Sequence, residues 1–167
     1  SGVDMKKFRQ VDEGLTWVLE AKSVDDQVGR LKDWASTTQC LVPVVRIGVG
    51  AEKPDFGIPE GMPDTVKIKD DIPEGMGNTT INLEWRRISG FINPDAPIHN
   101  ISQARRESVW VQILEGLHHA EAKVLTAVKD GKLLDIYPKL EKMLPTLGIT
   151  EYNKPKAKRK PKAKKEK

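Results

Sequence analysis

Ser102–Gly131, SQARRESVWVQILEGLHHAEAKVLTAVKDG, is the stretch on which the fold reading turns. Val109, Ile113 and Leu117 recur every fourth residue and Trp110 and Leu114 widen the stripe, while Arg105, Arg106 and Glu107 open it on the polar side. That spacing predicts a core helix from Asn100 or Ser102, weakened near Gly116. Ala120 to Lys129 reads as a further helix with Ala120, Val124, Leu125 and Val128 inward, stopped by Asp130-Gly131.

Working outward, Met5, Phe8, Val11, Leu15, Val18 and Leu19 fall at helical spacing between Asp4, a candidate cap, and Ala21, with Gly14 a weak point. Ser23 followed by Asp26 approximates a capping arrangement for a helix to about Thr37. Leu41 to Val49 contains Pro43 and five β-branched residues, and reads equally as a short strand or as a helix broken at its start. Thr79 or Thr80 is a candidate cap for a helix carrying Ile81, Trp85 and Ile88, although Thr79 to Trp85 also alternates like a strand. Pro138 opens a last short helix through Leu140, Met143 and Leu144.

Between 50 and 77, Pro54, Pro59, Pro63 and Pro73 share the chain with five glycines, too many for regular structure. Ile-Pro-Glu-Gly-Met occurs at 58–62 and again at 72–76, each copy suited to a type I turn, with an alternating Thr65 to Lys69 between them. The expected fold is therefore mainly α: five to six helices, a long Pro/Gly-rich loop at 50–77 with possible short β segments, and a disordered basic C-terminal tail. Ser1 and Gly2 read as a tag remnant, 3–152 as a single globular helical domain and 153–167 as the disordered tail.

The net charge of +4 conceals an asymmetry. Lys154, Lys156, Lys158, Arg159, Lys160, Lys162, Lys164, Lys165 and Lys167 stand with the single acid Glu166 at 154–167, so the tail carries +8. The remaining 19 basic and 23 acidic residues leave the body at −4. The tail is dense in cations, and its prolines favour an extended chain able to follow phosphates without reading bases. These nine residues are the candidate nucleic-acid contacts, with a solubilising tail as the plain alternative. Trp17, Trp34, Trp85 and Trp110 lie among aliphatic residues at helical spacing and read as core anchors rather than base-stacking platforms.

Catalytic constellations are poorly supported. Glu115 and His118 have the i, i+3 spacing of di-iron bundles and His119 and Glu121 lie nearby, but His99 is the only other histidine. These residues read as polar groups at a helix end, with His118 and His119 suited to a C-terminal dipole. Cys40 reads as a buried thiol rather than a nucleophile. Asp25-Asp26 and Asp70-Asp71 read as capping or solvated, and Gly48 to Lys53 is no phosphate loop because Pro54 follows at once. No catalytic residue, metal ligand or cofactor is assigned. With one cysteine, no apolar run near the ~18 residues of a membrane span and no signal segment, a soluble cytosolic protein is expected.

Arg105-Arg106-Glu107 leading to Leu114-Glu115-Gly116-Leu117, then Glu121-Ala122 and Val128-Lys129-Asp130-Gly131-Lys132-Leu133, form one block of motifs. Ile58-Pro59-Glu60-Gly61 and Leu83-Glu84-Trp85-Arg86-Arg87 precede it and Leu144-Pro145 follows. In this order they resemble a family of small uncharacterised proteins of tailed, T-even-like bacteriophages, including marine ones, over residues 23 to 148. The resemblance implies a phage protein in the cytoplasm of an infected bacterium and transfers no catalytic residue. The expected function is that of a non-catalytic phage accessory protein, not an enzyme, whose helical body meets an unknown protein partner while the tail contacts DNA or RNA. The alternatives are a virion or assembly component and a small metal-dependent enzyme.

Overall fold

The computed structural model describes residues 8–67 and 78–156. It is mainly helical. The α-helices run α1 Val11–Leu19, α2 Val24–Ala35, α3 Leu41–Gly48, α4 Trp85–Ile92, α5 Gln103–Gly116, α6 His119–Asp130 and α7 Leu133–Ile136, with 3-10 helices at Pro97–Asn100 and Pro138–Met143. Among the described residues the one β pairing is an isolated parallel bridge between Thr79 and Leu117.

The helix α6 is the centre of the molecule and packs against α1, α3, α5 and α7. Ala122, Val124, Leu125, Ala127 and Val128 are buried on it, as are Glu121 and Lys129, so most of its circumference faces protein. A helix covered on most sides needs apolar residues beyond a single stripe. Gly131 ends α6 in the left-handed region at φ 67°, where a glycine lacks the Cβ clash, and the Lys132 N–H reaches back to the Ala127 carbonyl at 2.8 Å.

Local chemistry accounts for several starts. Ser23 Oγ accepts from the Asp26 N–H at 3.0 Å to open α2, with Asp25 and Asp26 in its first turn facing the positive end of the dipole. Ser102 Oγ does the same for α5 from the Arg105 N–H at 3.2 Å. The strand-or-helix tie at Leu41 to Val49 resolves as helix. Pro43 sits in the first turn of α3, where its missing N–H has no intrahelical acceptor to lose, and Leu41, Val44, Val45 and Ile47 are buried.

Other boundaries move. The first helix begins at Val11 rather than Asp4, which lies outside the described residues; Phe8 precedes it and packs its ring 5.3 Å from Trp17 and 5.7 Å from Trp34. Thr80 closes a turn by accepting the Leu83 N–H at 3.1 Å, and α4 starts only at Trp85, leaving Ile81 buried in the turn. The packed chain also continues past 153. Asn153 donates from its backbone to Val49 O and from Nδ2 to Gly131 O, Pro155 is buried, and the Lys156 N–H donates to Asp135 at 2.7 Å. Residues 157–167, the second Ile-Pro-Glu-Gly-Met, and Ile68 and Lys69 of the alternating segment lie outside the described residues.

The tryptophans organise the core. Trp34, Trp85 and Trp110 are buried, Trp110 standing edge-on to Phe56 and Phe91 at 5.7 and 5.0 Å. Gly14, in the middle of α1, lies under the Trp34 indole: a Cβ there would meet ring atoms at 2.3 Å. In an exposed helix Gly→Ala gains roughly 0.5–1 kcal/mol. Here overpacking should reverse the sign, and Gly14→Ala is expected to cost about 1–3 kcal/mol in urea unfolding followed by tryptophan fluorescence. A variant as stable as the parent would show that α1 and Trp34 are not packed this closely.

Candidate functional site

The polar groups singled out in the sequence do not converge. The carboxylate of Glu115 faces the loop before 68 and accepts the Lys67 N–H at 3.0 Å. His99 bonds through Nε2 to the Phe91 carbonyl at 3.0 Å. His118 is buried and caps the N-terminus of α6, its Nδ1 accepting from the Ala120 N–H at 3.1 Å, with the His119 ring tilted by 33° at 4.1 Å between centroids. This corrects the reading of the two histidines as C-terminal residues: the chain breaks after Gly116 and restarts, so they belong to the positive end of the next helix. Among the described residues no group of three or more His, Cys, Asp or Glu side chains is placed to hold a metal ion.

Instead the structure singles out Glu121, wholly buried in the first turn of α6. Its Oε2 accepts the Val11 N–H at 2.7 Å and its Oε1 the Ile81 N–H at 3.0 Å. One carboxylate thereby caps α1, which has no side-chain cap of its own, and holds the turn that leads into α4. Burial pushes the Glu121 carboxyl up to about 7; the two N–H bonds oppose the shift and the neighbouring Asp12 and Glu13 add to it. Cys40 is fully buried, and burial first, then the charge of Glu121, raises its thiol to about 12. At neutral pH it is held as the thiol, a poor nucleophile.

At the other end of α6, Lys129 is buried, donates to the Pro59 carbonyl at 2.8 Å and pairs with Asp130, whose Oδ2 accepts the Gly61 N–H at 2.9 Å. Lys132 pairs with Glu60 at the surface. Arg106, read as solvent-facing, donates Nε to Gly57 O at 3.0 Å and Nη1 to Ile101 O at 3.3 Å. These cations hold the first half of the Pro/Gly-rich loop against the body. Of the nine tail residues, Lys154 and Lys156 are described and exposed; Lys158, Arg159, Lys160, Lys162, Lys164, Lys165 and Lys167 lie outside the described residues.

The raised value at Glu121 sets a pH dependence. Above about 7 the folded state holds a buried charge, whereas between about 4.5 and 7 it binds a proton more tightly than the unfolded chain. The contribution of Glu121 is therefore fully present below about 4.5 and lost as pH rises through about 7, an effect on the order of 3 kcal/mol. Calorimetric melting between pH 5 and 8 should show Tm falling over this window. Glu121→Gln should melt lower, because its amide turns a donor toward a backbone N–H, and should lose that slope. An unchanged slope in the variant would assign the titration elsewhere.

No curated protein and no solved structure matches the chain. A family of unknown function (DUF6433) matches residues 15–135, which run from within α1 to within α7 and include Glu121, Lys129 and Asp130. The chain belongs to this family of unknown function.

Proposed function

We propose that the chain is a non-catalytic phage accessory protein, acting in the cytoplasm of the infected host, whose helical body docks on a protein partner while its C-terminal tail holds nucleic acid by charge. The observation that carries this reading is the density of the tail, nine cations against one acid in residues 154–167. Its root supports the same reading: Asn153 and Pro155 anchor the chain on the body while Lys154 and Lys156 remain exposed, so the cations leave from a fixed point. Phage origin is supported by the resemblance of the motif blocks at 58–61, 83–87 and 105–133. The body is mildly acidic, which leaves phosphate attraction to the tail.

The anchoring also dictates the test, because a cut at 153 would strip the Lys156 bond to Asp135 along with the charge. A chain ending at Lys156 keeps the packed root and removes seven of the nine cations. In fluorescence anisotropy against random duplex DNA, the intact chain should bind with an affinity that falls steeply with salt. The shortened chain should lose most binding, and the log–log salt slope should shrink by up to about six. Undiminished affinity in the shortened chain would remove the tail from the reading. Stoichiometric presence in purified particles would move the role from the cytoplasm to the virion.

A further inference from the structure

An apolar groove of about 230 Å³ lies between α2, α3 and the segment after the last 3-10 helix, lined by Leu31, Ala35, Leu41, Val42, Val45 and Leu147. Its two helices offer matching ridges four residues apart, Leu31 and Ala35 on α2 and Leu41 and Val45 on α3. Val42 is 55% exposed and, with Leu83 and Ile136, is one of the three large apolar side chains left exposed among the described residues. Lys32 and Arg46 stand on the rim. The volume falls below the roughly 300–1,000 Å³ of pockets for drug-sized ligands and suits one large apolar side chain delivered by a peptide.

We propose that this groove is the docking site for an amphipathic acidic segment of a partner protein, one large apolar side chain entering between α2 and α3 and flanking carboxylates meeting Lys32 and Arg46. The proposal rests on the protein-binding half of the function given above and names its site and the chemistry of the partner. Charge decides the occupant. The chain's own tail beyond Lys156 has seven cations and one acid, and residues 3–7 carry one acid and two lysines, so neither complements a basic rim. A second copy pairing groove to groove would bring two sets of Lys32 and Arg46 into one interface. Arg46 is bonded to Glu52 at 2.8 Å, but both are about half exposed, and such a surface pair contributes little and exchanges readily for a partner's carboxylate.

The probe is a fluorescein-labelled helical peptide of Glu, Ala and Leu with one central Trp, compared with the same peptide carrying Ala in place of Trp. Both are acidic and both can touch the basic tail, so the difference between them reads the groove. With the full chain, the Trp peptide should bind at least tenfold more tightly than the Ala peptide and move the methyl resonances of Val42, Val45 and Leu147. Lys32→Glu with Arg46→Glu should remove that advantage, and Val42→Ser, at a position 55% exposed, should weaken it several-fold. Equal binding of the two peptides, or a Trp advantage untouched by the rim variants, overturns the proposal. Val42→Ser should leave the anisotropy with duplex DNA unchanged, so failure of the groove and failure of the tail are read on separate signals.

Discussion

The carboxylate of Glu121, sealed at the first turn of α6, receives one N–H from Val11 and another from Ile81, 110 and 40 residues away along the chain. Helix α1 has no local side-chain cap, and the turn before α4 has no sheet to hold it. Glu121 caps the first and gives the second a tie to α6 beside the isolated Thr79–Leu117 bridge. A charge in so dry a place is expensive unless its oxygens are satisfied, and here both accept backbone donors near the positive end of a helix dipole. The remaining cost appears as the raised proton affinity of Glu121. The pair of N–H bonds gives α6 a defined angle to α1 and to the 78–84 turn, which apolar packing alone would leave less specified.

The opposite end of α6 has a second lock of reversed sign. Lys129, buried against Asp130, places its ammonium on the Pro59 carbonyl, and Asp130 takes the Gly61 N–H. A cation is favoured at a helix C-terminus for the same reason that an anion is favoured at its start. Arg106 adds a third tie from α5 through Gly57 and Ile101. The motif blocks at 58–61, 105–107 and 128–133, far apart in sequence, are therefore partners in space: their charged residues fasten an irregular loop to the central helix. The motifs that carry the resemblance act in this fold as internal fasteners.

Function divides along the same lines as charge. The packed body consumes its most distinctive polar side chains internally, while nine cations against one acid stand in the sequence at 154–167, just after the anchored Asn153. The family match at 15–135 covers the fastened body and stops short of the tail, so the proposed nucleic-acid contact and the proposed groove belong to different parts of the chain.

The sequence by itself determined the helical class, the stripe of α5, the Ser23 cap, the Gly131 stop, the burial of Trp34, Trp85 and Trp110, though not of the half-buried Trp17, and the basic tail, because each rests on spacing or chemistry within a few residues. It could not decide Leu41 to Val49, where β-branched residues and an early proline suit strand and helix alike and only burial against α6 and α7 chooses. Only the tertiary structure revealed that Glu121 caps a helix 110 residues away, that His118 opens α6 instead of closing α5, and that Arg106 and Lys129 point inward. Nothing in the local pattern distinguishes a glutamate that will be solvated from one that will be buried between two backbone N–H groups. The difference lies in which distant donors the fold brings to it.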